Sequence, residues 1–244
     1  MFGKNPIRGI LRDPLNLAVE DIFYTIQGEG PQAGRPALFI RLAGCNLACH
    51  FCDTQFESKA DMPETVVDLL ERIFDTTTPK QRELVVITGG EPMRQDWSGL
   101  ARVLLKGGTD LIQVETAGTL WQPGLAEFIE SGDVQLVCSP KTPQVHRLIS
   151  ESCAHWKYII RGGEVDVEDG LPNRGTQVAT LGKPSRLYRP WDRGACDDYG
   201  TVWLSPCDDY DAELNKVNLE LARDLCLKHG YRLSLQMHKL IQVP

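Results

Sequence analysis

The chain has 244 residues, of which 42% are hydrophobic and 24% charged, as is ordinary for a globular protein with one well-buried core. Its formal net charge of −7 argues against binding along a nucleic-acid backbone, which requires a basic face. No apolar run is long enough to span a membrane, and the first residues lack the apolar core of a secretory signal. We therefore expect a cytoplasmic protein.

Short apolar runs alternate with helix-like stretches, which is typical of a parallel α/β fold. The sequence predicts strands at 22–26, 37–42, 84–87, 111–115, 134–138, 157–160, 202–204 and 232–236. It predicts helices at 63–74, 97–106, 124–131 and 211–229, the last of which ends before Gly230, a good C-terminal cap. We interpret 1–244 as a single domain, with 1–17 as an N-terminal arm and 161–200 as a surface excursion.

Polar loops rich in glycine and proline follow four of the predicted strands, at 88–92, 116–118, 139–141 and 205–208. In barrels and open parallel sheets, ligands bind at the carboxyl ends of the strands. One such loop could be an ordinary strand-to-helix connection. Four of them in register with a group of cysteines favour a shared pocket.

Cys45, Cys49 and Cys52 form a C-x3-C-x2-C loop directly after a predicted strand. In a reducing compartment such cysteines are more often thiols or metal ligands than disulfides. Thiolates suit both iron–sulfur clusters and zinc. Three ligands rather than four would leave one iron of a cluster open to a substrate or cofactor. A closed zinc site with His50 or a distant cysteine as fourth ligand is the alternative.

The cysteine loop, with Phe51 just before its last cysteine, resembles the signature of the radical S-adenosylmethionine (SAM) superfamily. Residues 88–92 look like the glycine-rich motif of that superfamily, where the absence of a Cβ lets a cofactor approach the main chain. The resemblance implies a [4Fe–4S] cluster on Cys45, Cys49 and Cys52 whose open iron binds SAM. It also implies an α/β fold, a partial (β/α) barrel of the radical SAM type, open on one side.

Residues 24–31, 34–36 and 39–47, Cys52-Asp53-Thr54, and the C-terminus from 236 to 244 are together similar to the 7-carboxy-7-deazaguanine synthases. This similarity implies a lyase that converts 6-carboxy-5,6,7,8-tetrahydropterin to 7-carboxy-7-deazaguanine and releases ammonia, in queuosine or other 7-deazapurine biosynthesis. It further implies a regenerated SAM cofactor, Mg²⁺, a flavodoxin- or ferredoxin-like electron donor and a homodimer.

The similarity also implies the roles of individual residues. No side chain is expected to be catalytic, because the radical is generated on SAM by the cluster. The expected SAM contacts are Phe51, Gly90, Ser139, Pro140, Lys141, Ser205, Pro206, Cys207 and Asp208. The expected substrate contacts are Ile26, Gln27, Gly28, Arg41, Thr88, His238 and Pro244, and Thr54 is the expected Mg²⁺ ligand.

Two of these assignments also have a chemical reason of their own. The amide of Gln27 matches the donor and acceptor edge of a pterin. Arg41 is predicted to point away from its apolar strand neighbours, and a guanidinium binds a carboxylate with two parallel hydrogen bonds.

Two rival functions remain at this stage. A glycyl-radical activase shares the cysteine spacing and would need a large protein partner, and the Gln-Gly-Glu-Gly run at 27–30 counts against it. A non-catalytic metal-binding module would require a closed site, and it leaves the strand-end loops unexplained.

Overall fold

The computed structural model describes residues 5–52, 54–193 and 200–243. Its strands and α-helices, in chain order, are β1 (Asn16–Leu17), β2 (Val19–Ile26), β3 (Pro36–Leu42), β4 (Glu64–Thr65), α1 (Val66–Thr76), β5 (Leu84–Gly89), α2 (Ser98–Lys106), β6 (Leu111–Thr116), α3 (Ala126–Ser131), β7 (Val134–Cys138), α4 (Arg147–Ser152), β8 (His155–Ile160), β9 (Thr201–Pro206), α5 (Ala212–His229), β10 (Arg232–Leu233) and α6 (Met237–Ile241). Among the described helices, none combines the length and apolar character needed to cross a membrane.

Eight strands form one sheet in the order β10-β9-β8-β7-β6-β5-β3-β2. All neighbouring pairs are parallel except β2 and β3, which are antiparallel. Within the described residues, β2 and β10 remain the two edges and do not pair with each other. The expectation of a partial (β/α) barrel, open on one side, is confirmed.

The two faces of the sheet have different chemistry. On β3, Ile40 and Leu42 are fully buried in the main hydrophobic core, while Arg41 between them faces the other way. Trp97 and Leu100, at and just after the start of α2, join the same core on the outer face of the sheet. Because side chains alternate along a strand, the polar residues of these strands collect on the inner face.

Local capping explains where the helices begin and end. The hydroxyl of Thr65 accepts a hydrogen bond from the Asp68 N–H at 3.1 Å and starts α1, later than the predicted 63 because Glu64 and Thr65 pair with β1. At α5, the Asp211 carboxylate accepts from two backbone N–H groups at 3.0 Å. This helix ends at Gly230 with φ +73°, as predicted.

Three further elements differ from the sequence prediction. The strand expected over 232–236 is limited to β10, and the short helix α6, which contains His238, was not predicted. Just after β10, the Ser234 N–H still donates to the Leu204 carbonyl at 2.8 Å, and the Ser234 hydroxyl accepts from the Gly30 N–H at 3.0 Å. The six-residue helix α4 was not predicted, since it is too short to show a helical period.

The described part of 161–193 contains only short 3₁₀ turns and isolated bridges. It nevertheless packs against the core, because Leu171 and Arg189 are fully buried. The Arg189 guanidinium binds the Asp169 carboxylate at 2.6 Å. Residues 5–15 also contact the body of the protein, where the Arg8 N–H donates to the Cys45 carbonyl at 2.7 Å.

Candidate active site

A cavity of about 680 Å³ lies at the carboxyl ends of the parallel strands. Cys45, Cys49 and Cys52 border one side of it. The other predicted site residues that line it are Ile26, Gln27, Arg41, Phe51, Thr54, Thr88, Gly90, Ser139, Lys141, Pro206, Cys207, Asp208 and His238. The tertiary fold therefore brings most of the predicted contacts to one place.

Three predicted residues are placed differently, and a fourth is not described. Pro140 lines a smaller neighbouring pocket, Gly28 lies against His238, and the buried hydroxyl of Ser205 has no hydrogen-bond partner within the described part of the protein. Pro244 lies outside the described residues.

The cysteine loop is held firmly at its start. Gly44 has φ +79°, and a Cβ there would lie 2.7 Å from the Arg94 guanidinium, so glycine is required. Arg94 and the Gln95 amide both donate to the Ala43 carbonyl, at 3.1 and 3.0 Å. The loop therefore leaves β3 in one fixed direction.

The three thiols have different surroundings. Cys45 is buried, and burial together with the nearby Glu91 raises its pKa to about 12. Cys49 and Cys52 are half-buried. The Sγ atom of Cys49 accepts a hydrogen bond from the Gln177 amide at 3.1 Å. A metal bound at Cys45 would have to displace this proton.

These residues fit an iron–sulfur cluster. Within residues 5–52, 54–193 and 200–243, no three His, Cys, Asp or Glu side chains converge on one point as they would around a single metal ion. A cluster does not need such convergence, because each thiolate binds a different iron. The imidazole of His50, the alternative zinc ligand, faces the smaller pocket and not the cavity with the thiols.

The glycine-rich loop after β5 packs directly on the cysteine loop. A Cβ on Gly90 would lie 2.3 Å from the Gly44 carbonyl oxygen, so no larger residue fits there. The next residue, Glu91, is buried, and its carboxylate accepts hydrogen bonds from Met93, Thr116 and Ala117 at 2.6–2.9 Å. Burial raises the pKa of Glu91 despite these bonds. Glu91 thus joins the carboxyl ends of β5 and β6.

The loops after β7 and β9 also line the cavity. Lys141 is half-buried, and desolvation of its ammonium lowers its pKa. The ammonium donates to the carbonyl and hydroxyl of Ser139. In the loop after β9, Asp208 binds the Lys239 ammonium at 2.6 Å, which holds the pKa of Asp208 at about 2. The second contact ties α6 to the rim of the cavity.

Charged and amide groups form the side of the cavity near β6 and β8. Lys157 donates to Glu29 at 2.5 Å and to Glu115 at 2.6 Å. The remaining oxygen of Glu115 accepts from the amides of Gln27 and Gln113, at 3.0 and 3.1 Å. One cation faces two carboxylates here, so the group has a net negative charge.

Arg41 occupies the opposite strand edge of the cavity. Its guanidinium lies 5.5 Å from the centre of the Phe23 ring, an arrangement that permits a cation–π interaction. Thr88 is its register partner on β5. A positively charged group therefore faces the cavity across from the negatively charged group around Lys157.

Sequence reasoning gave no role to Glu29, Glu115, Lys157 or Gln177. For Lys157 a signal was present, since a lysine between Trp156 and Tyr158 in an apolar strand is seldom buried without a partner. Glu115 is likewise a charged residue in a predicted strand, at its carboxyl end. Gln177 had no such signal, because it lies in an irregular segment far along the chain.

Comparisons with known proteins agree on one family. The family model described as "Radical SAM superfamily" matches residues 39–176. The 7-carboxy-7-deazaguanine synthase of Rhodospirillum rubrum is 41% identical, and the match covers 100% of both chains. The enzyme of the same name from Rickettsia prowazekii is 38% identical over 100% of this chain and 96% of its own. The crystal structure of QueE from Escherichia coli has a similar fold, with TM-score 0.61 at 24% identity over 90% of this chain and 93% of that one.

Proposed function

Because the chain belongs to the 7-carboxy-7-deazaguanine synthase family of the radical SAM superfamily, we propose that it converts 6-carboxy-5,6,7,8-tetrahydropterin to 7-carboxy-7-deazaguanine with release of ammonia. The observation that carries this proposal is one cavity that has three thiols on one side. On another side it has the amide of Gln27 and the carboxylates of Glu29 and Glu115. The product would enter queuosine or another 7-deazapurine pathway, in the reducing cytoplasm.

The family implies a [4Fe–4S] cluster and SAM, and Cys45, Cys49 and Cys52 are the cluster ligands in this proposal. When bound, the two cofactors supply one-electron chemistry that removes a hydrogen atom from the substrate. The protein contributes a fixed position for each partner and excludes water. Burial of Cys45 limits solvent access from one side of the site.

In this proposal the cysteine loop and the strand-end loops would together hold SAM. The Gly90 backbone receives the SAM amino group, and Phe51 lies near the adenine. Ser139, Pro140 and Lys141 form a second contact region, and 205–208 a third. Asp208 is already held by Lys239, so a ribose hydroxyl would compete for its oxygens.

The substrate occupies the negative side of the cavity. A pterin presents both donors and acceptors along its edge, and Gln27 together with Glu115 offers the matching groups. Arg41 binds the substrate carboxylate from the opposite strand edge. Ile26, Gly28, Thr88, His238 and Pro244 complete the substrate contacts. The cavity of about 680 Å³ falls within the usual range for small-molecule sites.

Thr54 is the protein ligand of Mg²⁺ in this proposal, and it lines the cavity beside the cysteine loop. Mg²⁺ keeps several waters and often takes few protein ligands, so one hydroxyl plus substrate oxygens is sufficient. A flavodoxin- or ferredoxin-like protein delivers the electron, and the chain acts as a homodimer.

The decisive experiment is an anaerobic assay of the reconstituted, reduced protein with SAM and 6-carboxytetrahydropterin, followed by mass spectrometry. We expect 7-carboxy-7-deazaguanine and ammonia in equal amounts, without stoichiometric loss of SAM. Release of 5′-deoxyadenosine while the pterin stays unchanged would reject the substrate and keep the superfamily. If protein that carries iron and sulfide formed neither 7-carboxy-7-deazaguanine nor 5′-deoxyadenosine, the proposed reaction would be rejected.

A further inference from the structure

Gln177 lies against the cysteine loop, although 128 residues separate it from Cys49. Its Nε2 atom is 3.1 Å from the Cys49 Sγ atom. This amide belongs to the irregular segment after β8, to which the proposed function gives no role. It places a side-chain N–H group against a cysteine sulfur of this loop.

The orientation of the Gln177 amide is fixed by its other contacts. Its Oε1 atom accepts a hydrogen bond from the Ala48 backbone N–H at 2.8 Å, so the oxygen cannot be exchanged with the nitrogen. The second N–H of the amide is directed to the Thr176 hydroxyl at 2.9 Å. The group that faces the sulfur is therefore an N–H donor.

Backbone contacts keep this segment in register with the loop. The Val178 N–H donates to the Ala48 carbonyl, and the His50 N–H donates to the Thr176 carbonyl, both at 2.9 Å. Cys49 and Gln177 form an antiparallel bridge between these two bonds. The amide is thus held beside the sulfur by the main chain on both sides.

We propose that Gln177 is a positioning residue that raises the reduction potential of the cluster through its hydrogen bond to the Cys49 thiolate. Reduction adds one electron, so the cluster becomes one unit more negative, and the electron comes from a low-potential reductant. An N–H donor stabilises the more negative state, and hydrogen bonds to the sulfurs are among the factors that set such potentials. The inference rests on the cluster of the proposed function.

Two variants separate this electrostatic role from a structural one. Gln177→Met keeps the approximate size of the side chain and removes the donor. Gln177→Glu keeps an oxygen for the Ala48 N–H but turns a second oxygen toward the sulfur. Gln144→Met is the matched control, since Gln144 is exposed and lies on another loop.

The measurement is a potentiometric titration of the anaerobically reconstituted proteins with dye mediators, followed by electron paramagnetic resonance, with iron and sulfide contents determined on the same samples. In Gln177→Met we expect about a tenfold lower ratio of reduced to oxidised cluster at fixed potential, about 59 mV for one electron. In Gln177→Glu we expect a larger decrease, and in Gln144→Met no change.

The order of the potentials decides the result. A wild-type potential in Gln177→Met with full iron content would overturn the inference. So would a Gln177→Glu potential nearer the wild type than that of Gln177→Met, because this is the order that a purely structural role through Ala48 predicts. If the wild-type protein assembled no cluster, the proposed function would fail. A normal cluster with unchanged potentials in the variants would reject only the role of Gln177.

Discussion

Gly28 and His238 are in direct contact, and this contact attaches α6 to the wall of the cavity. A Cβ on Gly28 would lie 2.4 Å from Nδ1 and 3.0 Å from the backbone nitrogen of His238. The Gly28 carbonyl also accepts a hydrogen bond from the Met237 N–H at 3.3 Å. The absence of a side chain at residue 28 therefore allows His238 to line the cavity.

Gly28→Ala should move His238 away from the substrate side of the cavity. We expect KM for the pterin to rise by about tenfold, which corresponds to about 1.4 kcal/mol, with full iron content. Steady-state kinetics at saturating SAM measure this effect. Gly9→Ala is the control, because a Cβ there meets nothing within 4 Å. An unchanged KM in Gly28→Ala would show that His238 does not contribute to substrate affinity.

Lys157→Met should leave the buried Glu29 and the half-buried Glu115 as neighbouring carboxylates without their cation. Removal of one partner from a buried ion pair costs about 3–5 kcal/mol, so we expect a decrease of that size in the free energy of unfolding near neutral pH. Anaerobic urea denaturation measures it. Lys106→Met, at an exposed helix position, is the control. A loss below about 1 kcal/mol would contradict the assigned pairing.

The same variant should change how stability depends on pH. Burial raises the pKa of Glu29, but the charge and hydrogen bond of Lys157 lower it by a larger amount. The pKa of Glu29 therefore lies below the ordinary 4.5. Burial lowers the pKa of Lys157, but Glu115 and Glu29 raise it above the ordinary 10.5. In the wild type, the contribution of this charged group to the free energy of unfolding is therefore complete between about pH 4.5 and pH 10.5. It is lost as the pH falls through the pKa of Glu29 in the folded protein, or rises through the pKa of Lys157 in the folded protein.

In Lys157→Met, Glu29 loses the two strongest influences that lower its pKa. We expect burial then to outweigh the hydrogen bond from Gln236 and the charge of His238 and to raise the pKa of Glu29. The difference in stability from the wild type should therefore shrink as pH falls toward 4.5. Urea titrations at a series of pH values test this, and a difference that stays constant would contradict it.

Glu91→Gln should weaken the connection between β5 and β6. A glutamine oxygen at Oε1 still accepts from Met93 and Thr116, but its NH₂ group would face the Ala117 N–H. A buried N–H without an acceptor costs about 1–3 kcal/mol, and we expect a loss of unfolding free energy in that range. Glu83→Gln, at an exposed position, should have no effect. Equal stability of the two variants would show that the Ala117 bond contributes nothing.

Cys45→Ser, Cys49→Ser and Cys52→Ser should each abolish assembly of a complete four-iron cluster, because serine lacks the soft sulfur ligand. Cys226→Ser should keep full iron and sulfide, since Cys226 lies on α5 and does not line the cavity. Iron and sulfide analysis with absorption spectroscopy measures both. Full iron in any of the first three variants would remove that cysteine from the ligand set.

The sequence by itself determined the cysteine loop, the eight strands of the main sheet and the helices α1, α2, α3 and α5, but not α4 or α6. Local signals account for this, because apolar periodicity and caps such as Gly230 act over a few residues. The strand predicted over 134–138 agrees with the observed β7. The helix predicted over 63–74 was displaced, because pairing of Thr65 with Asn16 is a non-local contact that no local pattern contains.

Only the tertiary structure decided which distant groups meet at the cavity. Lys157 bridges carboxylates from two separate strand ends, Gln177 reaches Cys49, and Gly28 accommodates His238. Each contact joins residues far apart in sequence, so its partner depends on how the sheet curves and on where irregular segments return to it. Local propensity carries no information on that geometry, whereas close packing in the folded chain fixes it.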